Sequence, residues 1–156
     1  MAGTPATDST WERLTAAQLA TVATVDEERL ALERSRLPAA TAQRLDGPIY
    51  SVRSRFLFWE RLVTLMENDW APDGRYVVDE YINDLESRDR IDDVLESRPV
   101  LATGLLTELL AHLDRRFLVR TVPDDGAALR PYTKALREGA QLSERWYRRP
   151  DTIPWL

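Results

Sequence analysis

The chain has 156 residues, of which 44% are hydrophobic and 30% are charged, a balance typical of a folded globular protein and not of a disordered one. It contains no cysteine, which excludes disulfides, thiolate metal sites and a cysteine nucleophile, and it has one histidine, His112. Its formal net charge of −5 argues against a dedicated nucleic-acid binder, because such domains are usually basic.

The organisation predicted along the chain is simple. Residues 1–8 are predicted to be a flexible tail, residues 9–149 a helical domain, and residues 150–156 a proline- and aromatic-rich tail that packs. No charged N-terminal segment precedes an apolar core, and no apolar run reaches the ~18 residues that a membrane span needs. We therefore expect a cytoplasmic protein that does not enter a membrane.

Two helix-start signals lie near the N-terminus. Ser9-Thr-Trp-Glu12 and Thr24-Val-Asp-Glu27 both have the form of a capping box, in which a hydroxyl and a glutamate satisfy the first amides of a helix. They predict two short helices, at about 10–23 and 26–37, or one helix with a kink. Pro38 marks the end of this region, because proline disfavours a helical residue before it.

The segment 49–70 has the strongest helical pattern, with apolar residues at alternating steps of three and four. A second apolar row widens the stripe, so this helix needs covering from several sides and is predicted to lie at the centre of a bundle. Pro48 is expected in its first turn. The stripe consists of Ile49, Val52, Phe56, Trp59, Val63, Met66 and Trp70.

Two further helices are predicted after a turn at 71–74. The first carries apolar residues from Val78 to Leu95, with a polar lapse at 87–90, so it is either one helix or two short ones. Pro99 begins the most apolar segment, 99–118, which we expect to pack directly on the central helix. Gly104 would allow a close helix crossing there.

The remainder of the chain is predicted to be helical as well. Phe117 to Val122 is β-branched enough to form a short strand, but without a second convincing strand we favour the end of a helix, a turn at 123–126 and a last helix from about 129–131 to 149. The predicted fold class is all-α, a single-domain bundle of five to seven helices around the central helix 49–70.

Charge is distributed unevenly along the sequence. From Glu60 to Arg98 there are 12 acidic and 5 basic residues, a net charge of −7, whereas from Asp114 to Arg149 there are 5 acidic and 9 basic residues, a net charge of +4. Such asymmetry indicates either an external partner or two segments that face each other inside the bundle.

One short motif suggests metal chemistry. Asp92-Asp93-Val94-Leu95-Glu96 resembles the aspartate-rich motif of prenyl diphosphate and terpene synthases, whose carboxylates hold Mg²⁺ against a diphosphate. The resemblance implies, as an alternative function, a Mg²⁺-dependent enzyme acting on a phosphorylated or diphosphate substrate through the acidic helix 79–96. Our preferred interpretation is a solvated acidic face. The candidate metal ligands are Asp89, Asp92, Asp93 and Glu96.

The last predicted helix carries a regular basic stripe at steps of three and four, beside an aromatic C-terminus. We interpret it as an electrostatic docking face, with a solvated surface paired to the acidic region as the alternative. The predicted interaction face consists of Arg130, Lys134, Arg137, Arg145, Arg148, Trp146 and Trp155.

These observations favour a non-enzymatic interaction or regulatory protein, such as a small subunit, adaptor or inhibitor. No catalytic residue and no cofactor is assigned, and the expected partner is another protein or a second copy of the chain. A helical DNA-binding regulator is the second alternative function, although the net charge disfavours phosphate. Charge reversal at Arg137 and Arg145 is predicted to leave folding intact and weaken partner capture.

Overall fold

The computed structural model describes residues 9–72 and 74–156. Over these residues the chain is 62% helical, with seven α-helices and one small two-stranded sheet, so the predicted all-α bundle is confirmed. No helix in this part of the chain is both long and apolar enough to cross a membrane. The α-helices are α1 (Ala16–Ser35), α2 (Ala39–Ala42), α3 (Val52–Glu67), α4 (Val78–Ser97), α5 (Pro99–Ala102), α6 (Leu105–Val119) and α7 (Lys134–Arg137), and 3-10 helices occupy Thr10–Arg13 and Glu144–Tyr147.

Helix α3 is the central helix, as predicted, and its contacts with α4 are the most extensive between any two elements. Phe56, Trp59 and Val63 on its inner face are fully buried, which contributes about 1.5–3 kcal/mol for each large apolar side chain. Trp59 packs on Phe117 of α6 with ring centroids 4.8 Å apart. The central helix is therefore covered from both sides, as its wide apolar stripe requires.

The predicted limits of the central helix were too wide. The helix begins at Val52, because the Ser51 hydroxyl accepts a hydrogen bond from the Ser54 amide at 3.0 Å and caps it there. Ile49 lies outside the helix and is 60% exposed, so it does not belong to the buried stripe, and Pro48 is not in the first turn. Trp70, beyond the C-terminus, is nevertheless buried.

The N-terminal region forms one long helix and not two. The Thr15 hydroxyl caps α1 by accepting from the Gln18 amide at 3.2 Å, and Ser9 caps the preceding 3-10 helix by accepting from the Trp11 amide at 3.1 Å. The second predicted start lies inside α1. There the Asp26 carboxylate accepts from the Val52 amide at 3.0 Å and ties α1 to the start of α3.

Of the other two long predicted helices, one is continuous and the other is divided. Helix α4 is one uninterrupted helix of 20 residues, whereas the apolar segment 99–118 is divided into α5 and α6 at Gly104. Gly104 caps α6, and a Cβ atom there would lie 1.8 Å from the Gln18 side-chain nitrogen. The glycine therefore permits a close approach of an α1 side chain, and not the helix crossing that we predicted.

The predicted last helix, from about 129–131 to 149, was wrong. The only α-helix in this region is the single turn α7, which ends where Gly139 adopts φ +74°, a conformation that favours glycine and cannot continue a helix. The chain then runs through the second 3-10 helix into strand β2 (Arg148–Pro150), which pairs antiparallel with β1 (Thr121–Pro123). The strand near 117–122 that we had disfavoured is thus present, at 121–123.

Candidate functional site

The residues of the predicted interaction face do not share one helix face, because the helix that would align them is absent. Arg130 donates to the Asp125 carbonyl at 2.7 Å, Arg137 donates to the Pro131 carbonyl at 2.9 Å, and the Lys134 ammonium lies 3.4 Å from Glu138. These three exposed side chains therefore contact residues that are close to them in the sequence.

Two more of the predicted residues make contacts inside the molecule. Arg148 donates to the Thr121 hydroxyl and to the Thr121 carbonyl, each at 2.9 Å, and so fastens β2 to β1. Trp155 packs on Tyr81 of α4 with ring centroids 5.1 Å apart. Neither side chain belongs to a common basic surface with α7. Partner binding by these residues stays a prediction.

Arg145 and Trp146 are turned inward toward α4. The Arg145 guanidinium lies 3.0 Å from Asp89 and 2.6 Å from Asp92, and the Trp146 indole donates to Asp89 at 2.6 Å. Trp146 is buried. Through these contacts the two residues hold the C-terminal segment against α4.

The same ion pairs continue into the core. Arg88 is 5% exposed; it donates to Asp92 at 2.6 Å and forms a two-pronged pair with Asp114 at 2.8 and 2.9 Å. The Trp59 indole donates to Asp114 at 3.0 Å. Burial lowers the pKa of Arg88, but its hydrogen bonds and charge pairing with Asp114 and Asp92 outweigh burial and raise that pKa above its usual range. We call the connected set of five charged residues the ion-pair ladder; it consists of Arg88, Asp89, Asp92, Asp114 and Arg145.

The aspartate-rich motif is part of this ladder. Asp89 and Asp92 are paired with arginines, and Asp93 lies 3.4 Å from Arg90 on the same helix. Across residues 9–72 and 74–156, no three carboxylate or histidine side chains come close enough together to hold a metal ion. No observation therefore favours the magnesium alternative.

The two segments of opposite charge face each other, which was the alternative explanation of their asymmetry. Besides the ladder, Arg116 forms a two-pronged pair with Glu67, and Arg120 lies 2.6 Å from Asp69. Three of the nine basic residues at 114–149, Arg116, Arg120 and Arg145, are thus directed at the acidic middle of the same chain.

A cleft between α1, α3 and α4 is lined by arginines from all three helices. Its main chamber has a volume of about 410 Å³ and adjoins a second chamber of about 320 Å³. Arg29 of α1, Arg55 of α3 and Arg90 of α4 line both chambers, together with Tyr50. We call this the arginine cleft.

Carboxylates of α1 fix the entrance of the arginine cleft. Glu33 accepts from the Ile49 amide at 2.9 Å and pairs with Arg29 at 3.0 Å, while Asp26 holds the start of α3. Tyr50 is thereby placed at the rim, 51% exposed, with its ring 5.1 Å from the Arg55 guanidinium. Burial raises the pKa of Asp26, and its hydrogen bond from the α3 backbone opposes that effect.

Arg55 is the central cation of the cleft. It is half-buried, and within residues 9–72 and 74–156 its guanidinium donates no hydrogen bond to the protein. Burial lowers its pKa, and the positive charges of Arg90 and Arg29 lower it further, while Glu86 on the rim opposes them to a smaller extent. Arg55 therefore has no acceptor of its own among the described residues, although carboxylates also line the two chambers: Asp26, Glu80, Asp84, Glu86 and Asp93.

The floor of the main chamber holds an unusual carboxyl group. Asp84 is buried and accepts a short hydrogen bond from the Tyr76 hydroxyl. Burial raises its pKa to about 6, against the opposing effects of the Tyr76 hydrogen bond and the positive charge of Arg61. The Tyr76 hydroxyl, buried beside this carboxyl, has a pKa far above its usual range. Below about pH 6 the Asp84 carboxyl is protonated, so the main chamber then holds one negative charge fewer.

Comparison with known proteins leaves the function open. No protein-family model matches the chain, and neither a curated protein nor a solved structure does so. The geometry of the cleft is therefore the main guide to function.

Sequence reasoning missed the arginine cleft. Its arginines lie at 29, 55 and 90, on three helices, with no fixed spacing and no motif. The one local signal was the aromatic and basic sequence from Tyr50 to Phe58, which alternates with the buried stripe of α3 and faces away from the core centre. The concave site forms only because α1 and α4 pack beside α3, and the local sequence does not reveal that packing.

Proposed function

We propose that this chain is a non-enzymatic interaction protein that docks an acidic segment of a partner protein in the arginine cleft. The observation that carries the proposal is the convergence of Arg29, Arg55 and Arg90 on one open cleft, with a central guanidinium that has no acceptor among the described residues. Guanidinium groups are suited to carboxylates because they offer planar, paired N–H donors.

The shape of the cleft also supports a peptide-like ligand. The two chambers share part of their lining and open to solvent, with the exposed Tyr50 in the lining of both. Phe58 lies beside Tyr50, with ring centroids 6.3 Å apart, and forms an aromatic wall. Arginine and aromatic side chains are the types that contribute most to protein interfaces. The cytoplasmic location and a regulatory role remain predictions.

The proposal is tested with a fluorescently labelled oligoglutamate and the full chain, by fluorescence anisotropy at low ionic strength. Arg55→Gln should weaken binding about tenfold, since a charge-assisted hydrogen bond is worth about 1.5–3 kcal/mol. Arg53→Gln is the matched control: Arg53 is on the same helix, pairs with Glu12 at 3.3 Å and does not line the cleft. Equal loss in both variants, or no binding at all, would contradict the proposal.

A second copy of the chain is the competing occupant. Sedimentation of the protein alone distinguishes it: we expect one protomer for the wild type and for the Arg55→Glu variant. A wild-type dimer that dissociates in Arg55→Glu would show that the cleft is filled by another copy, and would replace the partner segment proposed above.

A further inference from the structure

Docking in the arginine cleft covers Asp84, the most deeply buried carboxylate that lines it. Asp84 is 6% exposed, whereas the other four carboxylates of the lining are half-buried or exposed. Its Oδ2 atom accepts a hydrogen bond from the Tyr76 hydroxyl, and its Oδ1 atom accepts none from the described residues. A segment that enters the main chamber therefore displaces water from a carboxylate that has only one hydrogen bond within the protein.

The pKa of Asp84 indicates how much this displacement matters. Burial raises that pKa to about 6, although the Tyr76 hydrogen bond and the positive charge of Arg61 oppose the effect. The charged carboxylate is thus short of hydrogen-bond donors in the free protein. A ligand side chain that covers Asp84 without supplying a donor leaves a buried acceptor unpaired, which costs more than an average hydrogen bond contributes.

The lining of the main chamber is also aromatic. Phe58 and Tyr50 line it, with ring centroids 6.3 Å apart, and Phe58 does not line the second chamber. A ligand side chain that contacts both this wall and Asp84 needs an apolar body with a donor at its tip. Tyrosine has this form, because its ring packs on aromatic side chains and its hydroxyl donates a hydrogen bond.

A neutral donor suits Asp84 better than a cationic one. Arg61 lines the same chamber and its positive charge already acts on Asp84, so the ammonium group of a ligand lysine would be repelled there. A hydroxyl brings no charge. The protein itself pairs an aromatic donor with a carboxylate of α4 in this way, because the Trp146 indole donates to Asp89 at 2.6 Å.

From these observations we infer that the main chamber takes a tyrosine side chain of the partner segment, with its ring against Phe58 and its hydroxyl donating to Oδ1 of Asp84. This inference rests on the proposed function, and it adds a second recognised residue to the acidic one that Arg55 binds. Asp84 then selects the segment, because a side chain of the same shape without the hydroxyl leaves the carboxylate unpaired.

The experiment compares three labelled peptides that differ only at one position, which is tyrosine, phenylalanine or alanine, next to a pair of glutamates and flanked by glycines and serines. Binding to the full chain is measured by fluorescence anisotropy at about pH 7.5, where Asp84 is ionised, and at constant low ionic strength. We expect the tyrosine peptide to bind about tenfold more tightly than the phenylalanine peptide, because a hydrogen bond to a charged group is lost. The alanine peptide should bind more weakly than both.

Variants connect the preference for tyrosine to Asp84. Asp84→Asn removes the charge of the acceptor and should reduce the preference over phenylalanine to about threefold or less. Asp93→Asn is the matched control, because Asp93 is exposed on the same helix and lines only the second chamber, and it should leave the preference unchanged. Tyr76→Phe removes the other donor to Asp84 and should keep the preference or increase it, which tests the assignment if circular dichroism shows that Asp84→Asn disturbs folding.

The outcomes separate this inference from the proposed function. If the tyrosine and phenylalanine peptides bind the wild type equally, acidic docking stands and the tyrosine inference is wrong. If none of the three peptides binds, both are wrong. If the preference for tyrosine is the same in Asp84→Asn as in the wild type, or is lost in a folded Tyr76→Phe variant, the hydroxyl does not bind Asp84 and the assignment is overturned.

Discussion

Replacing Asp114 by asparagine tests whether the ion-pair ladder holds the fold together. Asp114 accepts two hydrogen bonds from Arg88 and one from the Trp59 indole, at 2.8 to 3.0 Å. Asparagine keeps one acceptor oxygen but loses the charge and one prong of the pair. Arg88 is 5% exposed and would keep only Asp92, so a buried cation loses most of its compensation.

The expected cost follows from these contacts. Breaking a fully buried ion pair costs about 3–5 kcal/mol, but the Asp114 side chain is 27% exposed and Asp92 remains, so we expect a loss of about 2–3 kcal/mol in the free energy of unfolding. Urea denaturation followed by circular dichroism measures it. A double-mutant cycle with Arg88→Met should give a coupling energy above about 1 kcal/mol.

An exposed pair on the same helix is the control for this experiment. Asp93 lies 3.4 Å from Arg90, and both side chains are more than half exposed. Asp93→Asn should therefore change stability by less than about 0.5 kcal/mol. If Asp114→Asn costs no more than Asp93→Asn, or if the cycle shows no coupling, the ladder is not what fixes the C-terminal segment.

Three further substitutions test other parts of the structure. Arg145→Glu would place a third carboxylate beside two aspartates of α4, so it should cost about 2–3 kcal/mol in urea denaturation, whereas Lys134→Glu, on exposed α7, should cost less than about 0.5 kcal/mol. This replaces our expectation that charge reversal at Arg145 spares folding. Burial raises the pKa of Asp84 from 3.8 to about 6, so the folded state binds this proton more tightly than the unfolded chain. Wild-type stability relative to Asp84→Asn should therefore fall by up to about 3 kcal/mol as the pH of the denaturation buffer rises from about 4 to about 7; an unchanged difference would contradict the raised pKa. Trp155→Ala removes the ring that packs on Tyr81 and should cost about 1–2 kcal/mol, and a neutral result would show that the C-terminal tail is not held there.

The long helices were predictable because the spacing of apolar residues within each segment indicates which face is buried. Apolar residues at steps of three and four identified the buried faces of α3 and α6, and the structure buries Phe56, Trp59, Leu113 and Phe117 on them. Helix limits were less predictable, since a cap at Ser51 and not the proline at 48 decides where α3 begins. Caps are single hydrogen bonds, and several positions in one segment compete to provide them.

The C-terminal region was not predictable from periodicity. Its basic residues recur at steps of three and four, the spacing of one face of a helix. In the structure, however, the helical turn ends at Gly139, and Arg145 and Trp146 bind carboxylates of α4. Those contacts join residues more than 50 positions apart. A window along the chain does not contain them, and they outweigh the local preference for helix.

The same tertiary pairing bears on the proposed docking site. Summed along the sequence, the charge at 114–149 suggests a basic docking face, but in the fold Arg116, Arg120 and Arg145 are turned toward the acidic segment 60–98. Arg29, Arg55 and Arg90 line a cleft together with carboxylates, in a molecule whose net charge is −5. Exposed charges more than about 8 Å apart are largely screened from each other in physiological salt, so an acidic ligand responds mainly to the groups that it contacts directly in the cleft. The proposed recognition must therefore depend on short-range fit around Arg55, because the net charge of the chain does not bring an acidic surface toward it.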